Sequence, residues 1–282
     1  MRYVSIARAG RNHVGVLDDA GVHVLEGVTE IDASTDIAAL RDAPAASEAI
    51  PLADVELRPA SPAPRRIVCV GLNYRSHIDE TGRGDSDYPV LFAKFASNLI
   101  AAGSDIQLPP EGAQPDYEGE LAVVIGRRGR RISPQNALDH VLGYSVANDI
   151  TIRDFQYLTH QWLPGKAWDA STPLGPAIVT PDEVDLQAAG IRTLINGELV
   201  QESSLDLLIF SIPRLIAEIS TFTELEPGDV ILTGTPAGVG YRRSPQRFLG
   251  PGDTVVVEID GVGRLENGVV AETVDRSQGE RE

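Results

Sequence analysis

A single cysteine, Cys69, in 282 residues excludes any disulfide within the chain, which suits a reducing compartment. It sits in the apolar run Ile67-Val68-Cys69-Val70 with no histidine beside it, and reads as a buried thiol rather than a nucleophile. Basic residues are scarce: 24 Lys and Arg stand against 41 Asp and Glu, a formal net charge of −17. Nucleic-acid binding draws its affinity from cations on phosphates, so no nucleic-acid partner is expected. No apolar stretch approaches the roughly 20 residues that cross a bilayer, and the start, Met1-Arg2-Tyr3-Val4-Ser5-Ile6, lacks a signal-peptide core, so the expectation is a cytoplasmic protein with no membrane contact. Also missing are His-Glu-x-x-His, any pair of cysteines, and Gly-x-Ser-x-Gly, whose nearest match, Gly143-Tyr144-Ser145-Val146-Ala147, lacks the last glycine. Gly165-Lys166 is followed by Ala167 rather than the Ser or Thr of a phosphate loop, and Pro236 interrupts the glycines of Gly234 to Gly240, which excludes a dinucleotide fingerprint.

What is there is a chain with 42% hydrophobic residues, long enough for a sizeable core. Short β-like segments at Tyr3 to Ala7, His13 to Leu17 and Val22 to Leu25, alternating with Gly and Asp turns, predict strands, followed by an Ala/Asp/Glu-rich stretch with helical composition. Pro59-Ala60-Ser61-Pro62-Ala63-Pro64 reads as a linker, dividing a small N-terminal β-rich domain, 1–64, from a main domain, 65–282. Beyond it, Arg66 to Val70, Leu121 to Ile125, Ile191 to Ile195, Val230 to Leu232 and Thr254 to Ile259 predict strands, and Asn73 to Thr81 a short helix or loop. Leu205 to Glu218 is the clearest helix, kinked or split at Pro213. Strands outnumber helices without alternating with them, so the expected class is α+β with a mixed, β-dominated core, not a doubly wound parallel sheet. The tail from Asp275 to Glu282 is polar enough to fray.

Five segments could carry chemistry. In Glu118-Gly119-Glu120, strand periodicity puts both carboxylates on one face, about 6–7 Å apart. Two such oxyanions are tolerable in water, as at the end of an edge strand, or inside when a cation neutralises them; oxygen donors alone select Mg²⁺, Mn²⁺ or Ca²⁺. Asn148-Asp149 ends another apolar segment and offers a third carboxylate, or else a plain turn or helix cap. His77 and Glu80 are i and i+3 neighbours, spaced either as a surface ion pair or as a base dyad in which the carboxylate fixes the imidazole tautomer. The following Gly82-Arg83-Gly84-Asp85-Ser86-Asp87 has the composition of a lid hinge. Lys166 could stabilise developing negative charge, and the Gly234-Thr235-Pro236 loop could present amides and a hydroxyl to an anion.

In their order these segments resemble the fumarylacetoacetate hydrolase family, in particular its shorter bacterial members and the acylpyruvate hydrolases. The stretches that carry the resemblance are Gly71-Leu72-Asn73-Tyr74 with His77 and Glu80; Phe92-Ala93-Lys94-Phe95; Glu118-Gly119-Glu120-Leu121; Asn148-Asp149 with Arg153-Asp154 and Gln156; Gly165-Lys166 with Asp169; Pro173-Leu174-Gly175-Pro176; Asn196-Gly197; and Gly228-Asp229 followed by Gly234-Thr235-Pro236. The resemblance implies a β-sandwich roll behind a small N-terminal domain, a homodimer, and Mg²⁺ or Mn²⁺ held by Glu118, Glu120 and Asp149. It further implies His77 and Glu80 as a water-activating dyad on a lid, Lys166 as a charge stabiliser, and Gln156, Thr235, Tyr74 and Arg153 as substrate-binding residues. Two positions depart from the family's namesake: its fourth acidic metal ligand has no counterpart here, and His160 stands where it has a Tyr four residues past the matching Gln, so the substrate need not be fumarylacetoacetate.

The expected activity is metal-dependent hydrolysis of a carbon-carbon bond in a β-diketo or acylpyruvate-type acid through an enolate. The alternatives are decarboxylation of oxaloacetate or isomerisation of an unsaturated 2-oxo acid at the same site, and a catalytically silent metal- or ligand-binding protein.

Overall fold

The computed structural model describes residues 1–81 and 86–273. The expected hinge at 82–87 falls largely, and the expected fraying tail at 275–282 wholly, outside them. Among the described residues the strands form a large mixed sheet of eleven strands, a five-stranded sheet and a two-stranded ribbon. The chain is therefore α+β with β dominant.

At the centre of the large sheet lies Gly119–Ile125, seven consecutive buried residues paired antiparallel to Val141–Asn148 on one side and Val230–Leu232 on the other. Its two faces serve different cores. Leu121, Val123 and Ile125 point at Ile191, Val257 and Ile259 of the smaller sheet and at Leu215, Ile216 and Ile219 of the helix Ile212–Phe222. Ala122 and Val124 point the other way, at Tyr3, Val14, Ile67, Cys69 and Ile178. A strand buried on both faces reads as a continuous apolar run, which is why Leu121 to Ile125 was visible in the sequence. Cys69 is fully buried, and burial pushes its thiol well above the ordinary value.

The first three strands, Arg2–Arg8, Arg11–Asp18 and Gly21–Val24, form where the β-like segments between Gly and Asp turns predict them. Arg2–Arg8 then pairs with Thr172–Val179, extending the large sheet. The proline-rich segment lies along the same region: the Ala60 amide donates to the Leu174 carbonyl at 3.0 Å and the Ser61 hydroxyl to the Gly228 carbonyl at 2.7 Å.

Of the two outcomes expected for Leu205 to Glu218, the segment is split rather than kinked: Leu205–Leu207 is a single 3-10 turn, and the α-helix starts at Ile212 and runs on to Phe222, with Pro213 in its first turn. There the missing amide costs nothing, because first-turn amides have no partner inside the helix. Its buried positions, Ile212, Leu215, Ile216 and Ile219, follow helical spacing and dock onto the core. Among the described residues no helix is long and apolar enough to cross a membrane.

Candidate active site

The strand pair that builds the core also builds the site. Gly119 pairs with Asn148, so the ladder delivers Glu118 beside Asp149: the Asp149 amide donates to the Glu118 carbonyl at 2.8 Å, and the Glu118 amide to the Asn148 side-chain oxygen at 2.9 Å. Glu118 and Glu120 share a face, and the residue between them faces the smaller sheet. A Cβ at Gly119 would lie 2.3 Å from the Thr193 hydroxyl, so the pattern Glu-Gly-Glu needs its glycine for sheet packing and its carboxylates for the opposite side. One carboxylate oxygen from each of Glu118, Glu120 and Asp149 lies within 4.8 Å of the other two, and all three residues are buried.

Cations surround them. Lys166 donates to Glu118 Oε2 and Asp149 Oδ2, both at 2.7 Å. Lys94 Nζ is 2.8 Å from Asp149 Oδ1, an ion pair set off the hydrogen-bonding axis, and donates to the Ile150 and Lys166 carbonyls and to Thr172 Oγ1. Arg153 pairs with Glu118 Oε1 at 2.7 Å through one nitrogen and donates to Asp116 Oδ2 at 2.9 Å through another. Burial alone would raise the Glu118 carboxyl, but Lys166 and Arg153 outweigh it and hold the group down at about 2. Burial works against the charged Lys166 as well, yet Asp149 and Glu118 raise its pKa above the ordinary lysine value.

Glu120 is the exception. Its Oε2 accepts from the Gly234 amide at 2.7 Å, but among the described residues no cationic side chain pairs with it. Burial first, then Asp149 and Glu118, push its carboxyl well above the ordinary value. Four buried carboxylates, Asp116, Glu118, Glu120 and Asp149, thus face three cations, Lys94, Arg153 and Lys166, and the surplus negative charge falls at the oxygen cluster. An all-oxygen, buried, under-neutralised donor set fits a hard divalent cation such as Mg²⁺ or Mn²⁺.

The sign of the linkage gives a test. A carboxyl whose folded pKa lies above its unfolded value, 4.5, contributes stability that is fully present below that value and is lost as pH rises through the folded pKa. In EDTA, Glu120→Gln is therefore expected to be no more stable than the native protein at pH 4.5 and more stable at pH 8, with added Mg²⁺ reversing the order at pH 8. Thermal melts of both proteins at the two pH values check this. A constant difference between them across the range would remove Glu120 from the charge surplus.

The other expected site residues distribute unevenly. His77 is buried, its Nδ1 lies 3.1 Å from Glu80 Oε2, and the Gly238 amide donates to Glu80 Oε1 at 3.1 Å, tying the helix Arg75–Thr81 to the Gly234–Gly240 loop. His77, Glu118, Arg153, Gln156, Lys166 and Thr235 all line one cleft of about 480 Å³, mouth included. Arg153 donates to Gln156 Oε1 at 2.9 Å, which leaves the Gln156 amide nitrogen as that side chain's donor end. Thr235 donates to the Gly119 carbonyl at 2.9 Å and accepts from Gln201 at 2.8 Å, so its hydroxyl proton is already committed. Tyr74 does not line this cleft. It is fully buried, its hydroxyl has no hydrogen-bond partner among the described residues, and burial together with nearby Glu120 raises its pKa.

Three residues belong to the machinery without having been singled out from the sequence. Lys94 ends the strand Val90–Lys94, where a lysine on the same strand face as Phe92 is a readable signal of an inward cation. Gln201 bridges the Gly119 amide and the Thr235 hydroxyl from the strand Glu198–Ser204, where one polar residue among several offers no such signal. Asp116 accepts from the amides of Tyr117, Gly240 and Tyr241 and from Arg153. Burial raises its carboxyl, but four N–H donors occupy both oxygens and leave no direction for a proton, so the geometry describes an anion.

Comparison with known proteins adds a second line. The family model described as fumarylacetoacetate (FAA) hydrolase C-terminal matches residues 66–270. The chain is 46% identical over 210 residues to a mitochondrial protein of Xenopus laevis named oxaloacetate tautomerase fahd2, across 73% of this chain and 66% of that protein. It is 42% identical over 221 residues to oxaloacetate tautomerase YisK of Bacillus subtilis strain 168, across 77% and 73%. These matches span about two thirds to three quarters of the relatives' own length. Among solved structures, a 2-hydroxyhepta-2,4-diene-1,7-dioate isomerase from Mycobacterium marinum superimposes with a TM-score of 0.80 at 34% identity, covering 97% of this chain and all of that one.

Proposed function

This chain belongs to the fumarylacetoacetate hydrolase family, and from that premise we propose that it interconverts the keto and enol forms of a 2-oxo acid of the oxaloacetate type. The observation that carries the reading is that His77 of the base dyad and Glu118 of the under-neutralised carboxylate triad line one cleft. It is supported by the relatives named as tautomerases and the neighbour named as an isomerase, since both reactions move a proton next to a ketone and break no carbon skeleton. A divalent ion held by Glu118, Glu120 and Asp149 would supply Lewis-acid polarisation of the ketone and its adjacent carboxylate.

The chain's own groups do the rest. Glu80, fixed by the Gly238 amide, engages His77 Nδ1 and leaves Nε2 to take the proton from the carbon beside the ketone and to deliver it to the ketone oxygen. Lys166 spends two of its three N–H donors on Glu118 and Asp149 and keeps a positive charge where oxygen becomes more negative. Arg153, held by Asp116 and Glu118, fixes the Gln156 side-chain oxygen, and the Gln156 amide nitrogen orients the acid end. Trp162 and Phe92, packed edge to face with ring centroids 5.6 Å apart, wall the cleft against water.

The same dyad favours a second reading, hydrolysis of an acylpyruvate-type acid, in which His77 Nε2 takes its proton from water instead of carbon. The test follows enol-to-keto conversion of oxaloacetate and cleavage of acetylpyruvate side by side, each with Mg²⁺ and Mn²⁺. Tautomerisation with no cleavage is the expected result; cleavage alone would hand the site to the second reading. His77→Gln is expected to lower tautomerisation by about 10²–10⁴-fold, the range of a general base, while leaving Mg²⁺ affinity by calorimetry and any decarboxylation of oxaloacetate largely in place. A variant that tautomerises at the native rate would take His77 out of the reaction.

A further inference from the structure

Resting on the reading above, we propose that Arg242 selects the substrate by its far end: its guanidinium receives a second carboxylate, so that 2-oxo diacids are preferred over otherwise equal acids whose far end is neutral. The cleft has an inner and an outer set of cations. Lys166 and Arg153 line its inner part, but both are committed to the protein's own carboxylates, Glu118, Asp149 and Asp116. Arg242 lines the same cleft, is exposed, and among the described residues has no carboxylate partner; its guanidinium carbon lies 5.3 Å from the centroid of the Tyr241 ring.

Its neighbours show that this is unusual for the loop. Arg243 reaches the Val200 carbonyl at 3.2 Å and Glu198 at 3.9 Å, and Arg247 reaches Glu198 at 2.6 Å. In a chain with a net charge of −17, surface carboxylates are abundant, and an arginine left without one at the rim of a cleft is available to an external anion. A guanidinium matches a carboxylate with two parallel N–H donors, a geometry that an ammonium does not offer.

The position is also held. Asp116 accepts from the Gly240 amide at 2.7 Å and the Tyr241 amide at 2.9 Å, and the same carboxylate takes Arg153, which pairs with Glu118. The turn carrying Arg242 is thereby fixed to the carboxylate cluster through one residue, Asp116. Tyr241 in turn packs on Tyr157 with ring centroids 5.3 Å apart, giving the guanidinium an aromatic floor. Arg242 and Glu118 line the same cleft, so a ligand with a negative group at each end finds a cationic partner for its far end at the rim.

The experiment has two arms. In the first, the native protein and Arg242→Gln are compared on oxaloacetate and its 4-methyl ester, and the ratio of kcat/KM for diacid over ester is expected to fall about 10–100-fold in the variant, the value of one charge-assisted hydrogen-bonded contact. Arg242→Lys is expected to recover part of the ratio. In the second, the Mg²⁺-loaded proteins are titrated calorimetrically with malate, a diacid, and oxamate, whose far end is neutral. The variant is expected to lose affinity for malate by a similar factor and to bind oxamate as the native protein does. An unchanged ratio in either arm, or an equal loss for both members of a pair, would overturn the assignment. Because the calorimetric arm needs no turnover, a protein that tautomerises neither substrate would sink the proposed reaction and still decide the role of Arg242.

Discussion

Asp149→Ala is expected to lower turnover at saturating Mg²⁺ by about 10³-fold or more and to cost about 3–5 kcal/mol of unfolding free energy. The two losses share one origin. Asp149 Oδ1 is the only carboxylate oxygen that the described residues offer to Lys94, and Oδ2 is one of two offered to Lys166; both lysines are buried. Without Asp149, Lys166 keeps Glu118, while Lys94 keeps only neutral acceptors, the Ile150 and Lys166 carbonyls and Thr172 Oγ1. A buried ammonium without a counter-ion is far more costly than the pair it came from. Asp149→Asn preserves shape and hydrogen-bond acceptance and is expected to be less destabilised and equally inactive. Denaturant unfolding in EDTA separates the terms, because there the ion contributes nothing. An alanine variant as stable as the native protein under those conditions would show that the lysines find other partners.

Gly165→Ala is expected to reduce kcat/KM by about 10²-fold, the effect of misplacing catalytic groups by an ångström, and stability by about 1–3 kcal/mol. A Cβ at Gly165 would stand 2.5 Å from the backbone nitrogen, Cα and Cβ of Gln156, so the helices Arg153–Gln156 and Leu163–Lys166 touch there without a side chain between them. Pushing them apart moves Lys166 on one side of the contact and Gln156 and Arg153 on the other. The glycine beside the lysine, which looks like a remnant of a phosphate loop, is required for helix approach. If the alanine variant retains native kcat/KM, the two helices have enough slack to absorb a methyl group, and the placement of Lys166 does not depend on that contact.

The parts of this molecule that are legible in its sequence share a property: their local pattern and their tertiary role coincide. Leu121 to Ile125 is apolar because it is buried on both faces, and the first three strands are short β-like segments set off by Gly and Asp turns, with Val4 and Ile6 of the first facing one cluster and Tyr3 another. Glu118, Glu120 and Asp149 could be grouped because each adjoins such a segment. Thr172–Val179 was hidden for the opposite reason. It contains Pro173 and Pro176, which cannot donate to a ladder, yet it pairs with Val141–Asn148 by shifting register between Tyr144 and Val146. Pro213 left a kink and a split both open for a related reason, since a proline that interrupts a helix and one that begins it look alike until the position of the first turn is known. Asp116 and Gln201 were unreadable because their importance lies wholly in partners distant along the chain: Arg153, Gly240 and Tyr241 for one, Gly119 and Thr235 for the other.

The pairing of Arg2–Arg8 with Thr172–Val179 matters before the protein is complete. Its register joins Arg2 to Val179, so on a ribosome adding about 5–20 residues per second the first strand waits roughly 10–35 s for its neighbour to be made. The hairpin it forms with Arg11–Asp18 can assemble at once, and Glu56–Leu57 can cover Ile6 and Ala7 soon after, but the Arg2–Tyr3 end of its other margin stays open throughout that interval. The nascent chain therefore passes through a stage in which an exposed strand can recruit another copy of itself, and expression yield should respond to translation speed and to chaperones that shield such margins.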